Sequence, residues 1–183
     1  MYKRIIVHPE EHFTPLPIIL WGGTVIGAAF TTVDKVDHII ASSEDGLSSL
    51  QGSKYVQSDI TGIYRNTEKL LKENKSVLFS GTACQIAGLY AYLRSDYANL
   101  CTVDVICYGV ASPLLFKKHI EWLNIQYAGK VTRYHFRTKS KAGWGNYGRL
   151  DFENGRSKYF SSTDPYIKAF MSGSSYRECC YNC

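Results

Sequence analysis

Residues 76–126 read SVLFSGTACQIAGLYAYLRSDYANLCTVDVICYGVASPLLFKKHIEWLNIQ, and the pattern of apolar residues in this stretch decides the fold. SVLFSG (76–81) and NLCTVDVIC (99–107) are short apolar runs that are typical of buried strands. Between them, Ile86, Leu89 and Leu93 recur at helical spacing, and Ser112 followed by Pro113 predicts the start of a second helix. A strand, helix and strand connected in this way predict two parallel strands.

The segments on either side of this core predict antiparallel hairpins. Residues 23–33 and 35–42 are two apolar segments joined by the polar turn TTVDK. Near the C-terminus, Asn154 and Gly155 separate RLDFE from RSKYF, which is a strong hairpin signal. We therefore predict an α/β fold with a mixed sheet, which has a parallel β-α-β-α core and added antiparallel hairpins.

Two further helices are predicted from apolar spacing and from residues that favour helix ends. SDITGIYRNTEKLLKENKS (58–76) has Asp59 or Thr61 as an N-cap and ends near residue 74. TDPYIKAFMSG (163–173) has Thr163 or Asp164 as an N-cap, a proline in the first turn, and Gly173 at its end.

Composition limits the class of protein. The chain has 183 residues, of which 45% are apolar and 20% are charged, which is typical of a folded globular domain. The net charge is +5 and the basic residues are scattered, so we predict no nucleic-acid partner. No apolar run is long enough to span a membrane, and MYKRIIVHPEEHF lacks the apolar stretch of a signal peptide. We therefore expect a cytoplasmic protein without a membrane span.

The six cysteines are the main candidates for chemistry, since disulfides are rare in the cytoplasm. Cys84 begins the helix after the first parallel strand, and Cys107 ends the next strand. Both are expected at the carboxyl edge of one sheet, where α/β sheets bind ligands and where a helix N-terminus favours a thiolate. Cys180 and Cys183 form a CxxC pair that brings the count to four, which suits tetrahedral zinc or a [4Fe-4S] cluster.

Other interpretations of the cysteines stay open from spacing alone. Cys84 and Cys107 are equally consistent with buried apolar thiols, and the CxxC pair with a loose tail or a redox dithiol. Cys101 is interpreted as a core residue, and Cys179 competes with Cys180 as a ligand. His119 is interpreted as a helix-surface residue.

Two short loops are candidate sites for an anionic cofactor. GSKYVQSD (52–59) is rich in small polar residues and carries one lysine, and SGT (80–82) joins a strand to a helix N-terminus. An ordinary loop and a tight βα turn are the alternatives. A third segment, FRTKSKAGWGNYG (136–148), mixes basic and aromatic residues and is either a ring-stacking loop or a solvated hairpin connection.

Six blocks of this sequence, in this order and spacing, resemble the beta subunit family of coenzyme F-420 hydrogenases and dehydrogenases. They are GTVIGAAF, GSKYVQSDI, VLFSGTACQIAGLYAYL, LCTVDVICYGVASPLLFKKHIEWL, DPYIKAFMSG and RECCYNC. The resemblance runs from about Gly22 to Cys183. It implies an iron–sulfur flavoprotein oxidoreductase, in which FAD passes electrons between a [4Fe-4S] cluster and a redox partner protein or a deazaflavin such as coenzyme F-420. A homo-oligomer or a larger redox complex is the expected assembly.

The resemblance also implies roles for individual residues. The family motifs GTPCQ, ICHG and SCYxC fall on the four implied cluster ligands, which are Cys84, Cys107, Cys180 and Cys183. The implied FAD contacts are Gly52, Ser53, Lys54, Tyr55, Ser80, Gly81 and Thr82, with the lysine near the flavin ring. The chain departs from the family motifs at three positions, where alanine replaces proline, tyrosine replaces histidine and cysteine replaces serine: Ala83, Tyr108 and Cys179.

We expect residues 1–22 to be a divergent N-terminal segment and residues 23–183 to form a single α/β domain that ends in the CxxC tail. Relative to the family pattern, the chain is expected to be shortened at both ends. Two other functions stay open: a non-catalytic remnant or binding module of the same fold, and a structural zinc domain that uses the same four thiolates.

Overall fold

The computed structural model of the chain describes residues 3–7, 23–138 and 147–182. These ranges contain eight strands, five α-helices and one short 3₁₀ helix. The strands are β1 Lys3–Val7, β2 Thr24–Thr32, β3 Lys35–Ala41, β4 Val77–Thr82, β5 Leu100–Val105, β6 Val131–His135, β7 Gly148–Phe152 and β8 Ser157–Phe160. The helices are α1 Glu44–Leu50, α2 Ile63–Lys72, α3 Ala83–Leu93, α4 Pro113–Gln126 and α5 Pro165–Met171, and the 3₁₀ helix is Glu178–Asn182.

The chain divides into two compact units. The described residues of the first unit fall within Met1–Ala29, Asp37–Gln51 and Ser58–Cys107. Those of the second unit fall within Phe30–Val36, Gly52–Gln57 and Tyr108–Cys183.

A five-stranded sheet with the order β1-β5-β4-β2-β3 organises the first unit. The β1–β5, β5–β4 and β4–β2 pairs are parallel. In the central pair, Gly81 lies opposite Asp104 and Thr82 lies opposite Val105. The predicted α/β fold with a parallel core is therefore confirmed, and so is the hairpin formed by β2 and β3.

Helices cover both faces of this sheet. On one face Phe79 of β4 packs with apolar residues of α2 and α3, among them Ile63 and Leu89. On the other face Leu78 of β4 packs with Leu47 of α1. Both faces of β4 are therefore apolar, which explains why the central strand is a continuous apolar run rather than an alternating one.

Three local features of the first unit differ from the expectations. The N-cap of α2 is Gly62, whose φ of 76° is left-handed, so the predicted cap at Asp59 or Thr61 is wrong. Asp59 instead accepts the Thr61 N–H at 2.8 Å in the turn before the helix. Two elements were not predicted from the sequence: β1, which lies within the segment expected to be divergent, and α1, which is capped by Ser43.

The second unit contains the antiparallel sheet β6-β7-β8 and helices α4 and α5. The predicted turn at Asn154 and Gly155 is confirmed, with Gly155 at a φ of 79°. Ser112 caps α4, and Asp164 caps α5 ahead of its proline, as predicted. The core is largely aromatic and consists of Phe30, Tyr55, Phe116, Tyr134, Phe136, Tyr166 and Phe170.

His119 is buried in this unit, so its interpretation as a helix-surface residue is wrong. Its ring stacks against Trp122 and Tyr166, and Nε2 lies 3.0 Å from Asp164 Oδ2. Both side chains of the His119–Asp164 pair are less than a tenth exposed. In the candidate loop at 136–148, Lys139, Lys141 and Trp144 lie outside the described residues.

Candidate functional site

Cys84 and Cys107 follow neighbouring parallel strands at the carboxyl edge of the first-unit sheet. The last paired residues of β4 and β5 are Thr82 and Val105, which lie opposite each other. Each cysteine comes two residues after its strand's member of this pair, and both are exposed. The alternative in which these two residues are buried apolar thiols is therefore wrong.

Helix α3 places Cys84 in its first turn, directly after the strand. The turn is held by Gln85, whose Oε1 accepts the Thr82 N–H at 3.0 Å in a capping box. The Gln85 amide also donates to Ser58 Oγ at 2.9 Å. The start of the helix is thus tied both to the end of β4 and to the loop before α2.

The Thr82 hydroxyl is a polar neighbour of the Cys84 sulfur, and its Oγ1 lies 3.2 Å from Sγ. Tyr64 of α2 donates its O–H to the Gln85 carbonyl at 2.8 Å. Burial raises the pKa of Tyr64, and a charge on Cys84 raises it further. The phenol is therefore neutral and acts as a hydrogen-bond donor here.

The SGT turn uses several of its polar groups within the chain. His38 Nε2 lies 3.0 Å from the Ser80 carbonyl, and the His38 ring stacks on Phe79. A Cβ at Gly81 would lie 3.2 Å from Gln85 Oε1, so glycine is explained by close packing. These contacts explain the tight βα turn without a cofactor. The predicted FAD contacts at Ser80, Gly81 and Thr82 stay a prediction. No role was predicted for His38, because its partners lie about forty residues away in the sequence.

In the second unit, short backbone bridges join the Gly52–Gln57 loop to the segment before the terminal cysteines. Ala111 bridges to Val56 on one side and to Tyr176 on the other. The Arg177 N–H donates to the Val110 carbonyl at 3.0 Å, and the Arg177 guanidinium donates to Gln57 Oε1. The two predicted site segments of this unit are thus connected by hydrogen bonds.

Within the Gly52–Gln57 loop, Lys54 and Tyr55 have distinct environments. The Tyr55 carbonyl accepts the Tyr166 O–H at 2.7 Å, and the Tyr55 ring stacks on Phe170. Burial lowers the pKa of Lys54 from its ordinary value of 10.5 to about 8. The aromatic contacts fix the position of the loop, and the desolvated lysine favours an anionic neighbour.

The CxxC segment begins in the 3₁₀ helix Glu178–Asn182. Cys180 is half-buried and its N–H donates to the Arg177 carbonyl at 2.9 Å, whereas Cys179 is exposed. Tyr181 donates its O–H to the Gly173 carbonyl at 2.6 Å. Cys183 lies outside the described residues. Within residues 3–7, 23–138 and 147–182, no group of three or more potential ligands is positioned to hold a metal ion.

A groove of about 460 Å³ lies in the second unit between α4 and α5. Its lining is mostly apolar and includes Leu115, Trp122 and Tyr166, with the edge of the buried His119. This groove was not predicted from the sequence, because the partner of His119 is 45 residues away, at the N-cap of α5. The available signal was the presence of Leu115 and Trp122 in α4, two large apolar residues that are exposed in the structure.

The first-unit sheet edge supplies two of the four thiol donors that the implied cluster would need. Each of two exposed thiols follows, by two residues, the last paired position of one of two neighbouring parallel strands, and thiolates bind iron or zinc. For FAD, Lys54 is the residue of the predicted loop whose charge and desolvation fit an anionic cofactor.

Comparisons with known proteins agree with this architecture. A family model for the C-terminal part of the beta subunit of coenzyme F420 hydrogenase/dehydrogenase matches residues 74–183. A search of curated proteins finds no match. Among solved structures, a chain of the F420-reducing [NiFe] hydrogenase complex from Methanosarcina barkeri is similar, with a TM-score of 0.53 and 14% identity. That similarity covers 92% of the present chain and 58% of the other one, and at this identity it shows the fold alone. Because the family model spans more than half of the sequence, the chain belongs to the coenzyme F420 hydrogenase/dehydrogenase beta subunit family.

Proposed function

We propose that this chain is an iron–sulfur flavoprotein domain that relays electrons between a [4Fe-4S] cluster, FAD and a redox partner such as coenzyme F-420. The observation that carries the proposal is that two exposed thiols, Cys84 and Cys107, each follow by two residues the last paired position of neighbouring parallel strands. Cysteines with only a packing role are usually buried, so exposure at a ligand-binding edge favours a role as ligands.

The proposed ligands are Cys84, Cys107, Cys180 and Cys183. The first two emerge at the sheet edge, and Cys180 lies in the 3₁₀ helix that follows the bridge between Arg177 and Val110. When bound, the cluster and the flavin would supply one-electron relay and hydride transfer, respectively.

The residues of the chain itself would bind the proposed cofactors, orient them and tune their chemistry. Lys54 is proposed to face an anionic part of FAD, since binding an anion offsets the cost of the desolvated ammonium. The other proposed FAD contacts are Gly52, Ser53, Tyr55, Ser80, Gly81 and Thr82. The ring of Tyr55 is fixed by Phe170, which would keep the loop in one conformation before the cofactor binds.

The similar solved chain is part of a hydrogenase complex, which supports the proposal that this chain works within a larger redox complex. The present chain spans 58% of that chain's length. The identity of its electron donor and acceptor is therefore part of the proposal. A homo-oligomer and a cytoplasmic location also stay predictions.

Anaerobic reconstitution with iron and sulfide tests the ligand set. We expect Cys84→Ser, Cys107→Ser and Cys180→Ser each to lose most of the iron that the wild type retains. Cys101→Ser is the matched control, because Cys101 lies within β5 and is only half-exposed. Equal iron retention in wild type and Cys84→Ser would contradict the proposal. Loss of iron in Cys179→Ser but not in Cys180→Ser would show that Cys179 is the ligand in place of Cys180.

Retention of FAD tests the flavin half of the proposal separately. We expect Lys54→Met to release FAD at least tenfold more readily than wild type, since it removes the desolvated cation. Lys168→Met, which changes an exposed lysine of α5, serves as the control. Equal FAD dissociation constants for wild type and Lys54→Met would argue against this contact.

A further inference from the structure

Helix α4 carries large apolar residues on the side that faces away from the core of its unit. Its buried residues are Phe116, His119, Ile120 and Leu123. At about 100° per residue, positions 114, 118, 121 and 125 fall on the opposite side of the helix. We call these four residues the outer stripe, and they are Leu114, Lys118, Glu121 and Ile125. Leu114 and Ile125 are 63% and 81% exposed, which is unusual for two large apolar side chains on one helix face.

Two more exposed apolar residues lie beside the outer stripe. Leu115 and Trp122 are both exposed, and both line the groove between α4 and α5. They are seven residues apart, so they lie on the same side of the helix. The apolar surface therefore extends from the outer stripe towards α5.

The spacing of the outer stripe is that of a coiled-coil seam. Successive intervals of four, three and four residues match alternating d and a positions of a heptad, and Leu115 and Trp122 then occupy e positions. Helix α4 has 14 residues, so it offers two heptads. This surface is suited to pairing with one other short helix.

The order of residue types along the outer stripe is self-complementary. In an antiparallel pair of α4 helices related by a twofold axis, position 114 lies opposite position 125, and position 118 lies opposite position 121. Leu114 of each copy then meets Ile125 of the other, and Lys118 meets Glu121. A parallel pair would place Lys118 opposite Lys118 and Glu121 opposite Glu121, and like charges repel. Charge complementarity therefore favours a second copy of this chain in the antiparallel orientation.

We propose that the outer stripe of α4 is a homodimer interface, in which the α4 helices of two copies of this chain pair antiparallel. Within one chain, Lys118 Nζ lies 2.7 Å from Glu121 Oε2, and both side chains are exposed. In the dimer each charge has an opposite charge in its own helix and another in the facing helix, so neither is left unpaired. The inference goes beyond the proposed function, because it requires neither the cluster nor the flavin.

Sedimentation velocity of the full chain at about 1–100 μM tests the dimer, since this range brackets a micromolar affinity. We expect wild type to shift from monomer to dimer across the range. Lys118→Glu places a carboxylate opposite Glu121 of the second copy, and we expect it to weaken dimerisation about tenfold or more. The double variant Lys118→Glu/Glu121→Lys restores opposite charges across the pair, so its dimer should regain the wild-type affinity.

Lys130→Glu is the matched control. Lys130 is also an exposed lysine that pairs with an exposed glutamate, Glu153, so this substitution changes the net charge by the same amount. We expect it to dimerise as wild type does. A wild type that stays monomeric throughout the range would overturn the proposal. An equal loss in Lys118→Glu and Lys130→Glu, no loss in Lys118→Glu, or no recovery in the double variant would overturn it as well.

Disulfide cross-linking tests the orientation of the two helices. With a rise of about 1.5 Å per residue, positions 114 and 125 of one helix are about 16 Å apart, which is too far for a disulfide within one copy. We expect oxidised Leu114→Cys/Ile125→Cys protein to yield a linked peptide pair that joins positions 114 and 125, identified by mass spectrometry. Leu114→Cys alone should yield no link between two copies of position 114. Such a link in the single variant, or the absence of the 114–125 link in the double variant, would overturn the antiparallel pairing.

Discussion

The two carboxylate oxygens of Asp164 make different contacts. Its Oδ1 accepts the Ile167 N–H at 3.0 Å and so caps α5, while Oδ2 lies 3.0 Å from the buried His119 Nε2. Burial raises the pKa of Tyr134 and of Tyr166, and the charge of Asp164 raises both further, so both phenols remain neutral beside it.

We therefore expect Asp164→Ala to lower the free energy of unfolding by about 2–4 kcal/mol, from the lost cap and the unsatisfied buried histidine. Thr163→Ala is the control, because Thr163 is exposed and does not cap the helix. Its cost should stay within about 0.5 kcal/mol. Urea unfolding followed by circular dichroism measures both, and equal costs for the two variants would refute the double role of Asp164.

Lys54 gives a pH dependence whose sign follows from its lowered pKa. Between pH 8 and 10.5 the native lysine has lost the proton that the unfolded chain still holds, so the free energy of unfolding rises with pH in this window. The gain is at most about 3 kcal/mol. Lys54→Met should lack this rise and be more stable than wild type below pH 8. Parallel stability curves for the two proteins across the window would contradict the assignment.

The role of a single residue could be predicted from the sequence where its contacts are with residues close to it in the chain. Ser112 and Asp164 cap helices through residues two or three positions away, and both were predicted. His119 was misinterpreted because its partner lies on another helix. The Gly62 cap was missed because Asp59 satisfies a turn just before the helix, which propensity does not distinguish from a cap.

At the scale of elements, Gly109 controls how the C-terminal segment packs. Its φ of 129° is left-handed, and a Cβ there would lie 2.6 Å from the Tyr176 ring. Tyr176, which lies just before the terminal cysteines in the sequence, forms a backbone bridge with Ala111. Glycine at this position therefore serves both the backbone conformation and the ring contact.

We expect Gly109→Ala to destabilise the protein by about 2–4 kcal/mol and to increase the alkylation rate of the half-buried Cys180 in metal-free protein. Gly129→Ala is the matched control, because its added Cβ would make only ordinary contact, at 3.4 Å from Phe152. Mass spectrometry of iodoacetamide-treated protein gives the rate. An unchanged Cys180 rate in Gly109→Ala would show that Tyr176 does not hold this segment.

Elements with their own apolar period or turn signal were predictable, and elements that depend on a neighbour were not. Strands β4 and β5 are dense apolar runs, and the β7–β8 turn has Asn154 and Gly155. Strand β1 has five residues and pairs with β5 at the edge of the described sheet, and α1 has seven residues with a glycine among them. Segments this short carry too little periodicity to be recognised, and packing supplies their stability.

At the scale of the whole molecule, the family and the fold class followed from the sequence. Four of the six motif blocks lie within residues 74–183, which the family model matches, and the parallel core agrees with the fold of the similar solved chain. None of the helices in the described ranges is long and apolar enough to cross a membrane. The division into a short N-terminal segment and a single α/β domain stays a prediction.

Half of the proposed ligand set could be argued from sheet geometry. Parallel neighbours bring Cys84 and Cys107 to one edge, and this follows from strand order alone. No such rule applies to Cys180, whose position depends on the bridge between Ala111 and Tyr176. Bridges between residues so far apart in sequence depend on tertiary packing and leave no local pattern.

We propose that this chain holds a [4Fe-4S] cluster through four thiolates. Iron, sulfide and zinc content of protein purified without oxygen, measured on wild type and Cys84→Ser in parallel, tests it most directly. We predict about four irons with matching sulfide per wild-type chain and a loss of most of this iron in Cys84→Ser. One zinc per chain with no iron or sulfide, or iron that is indifferent to Cys84→Ser, would contradict the claim.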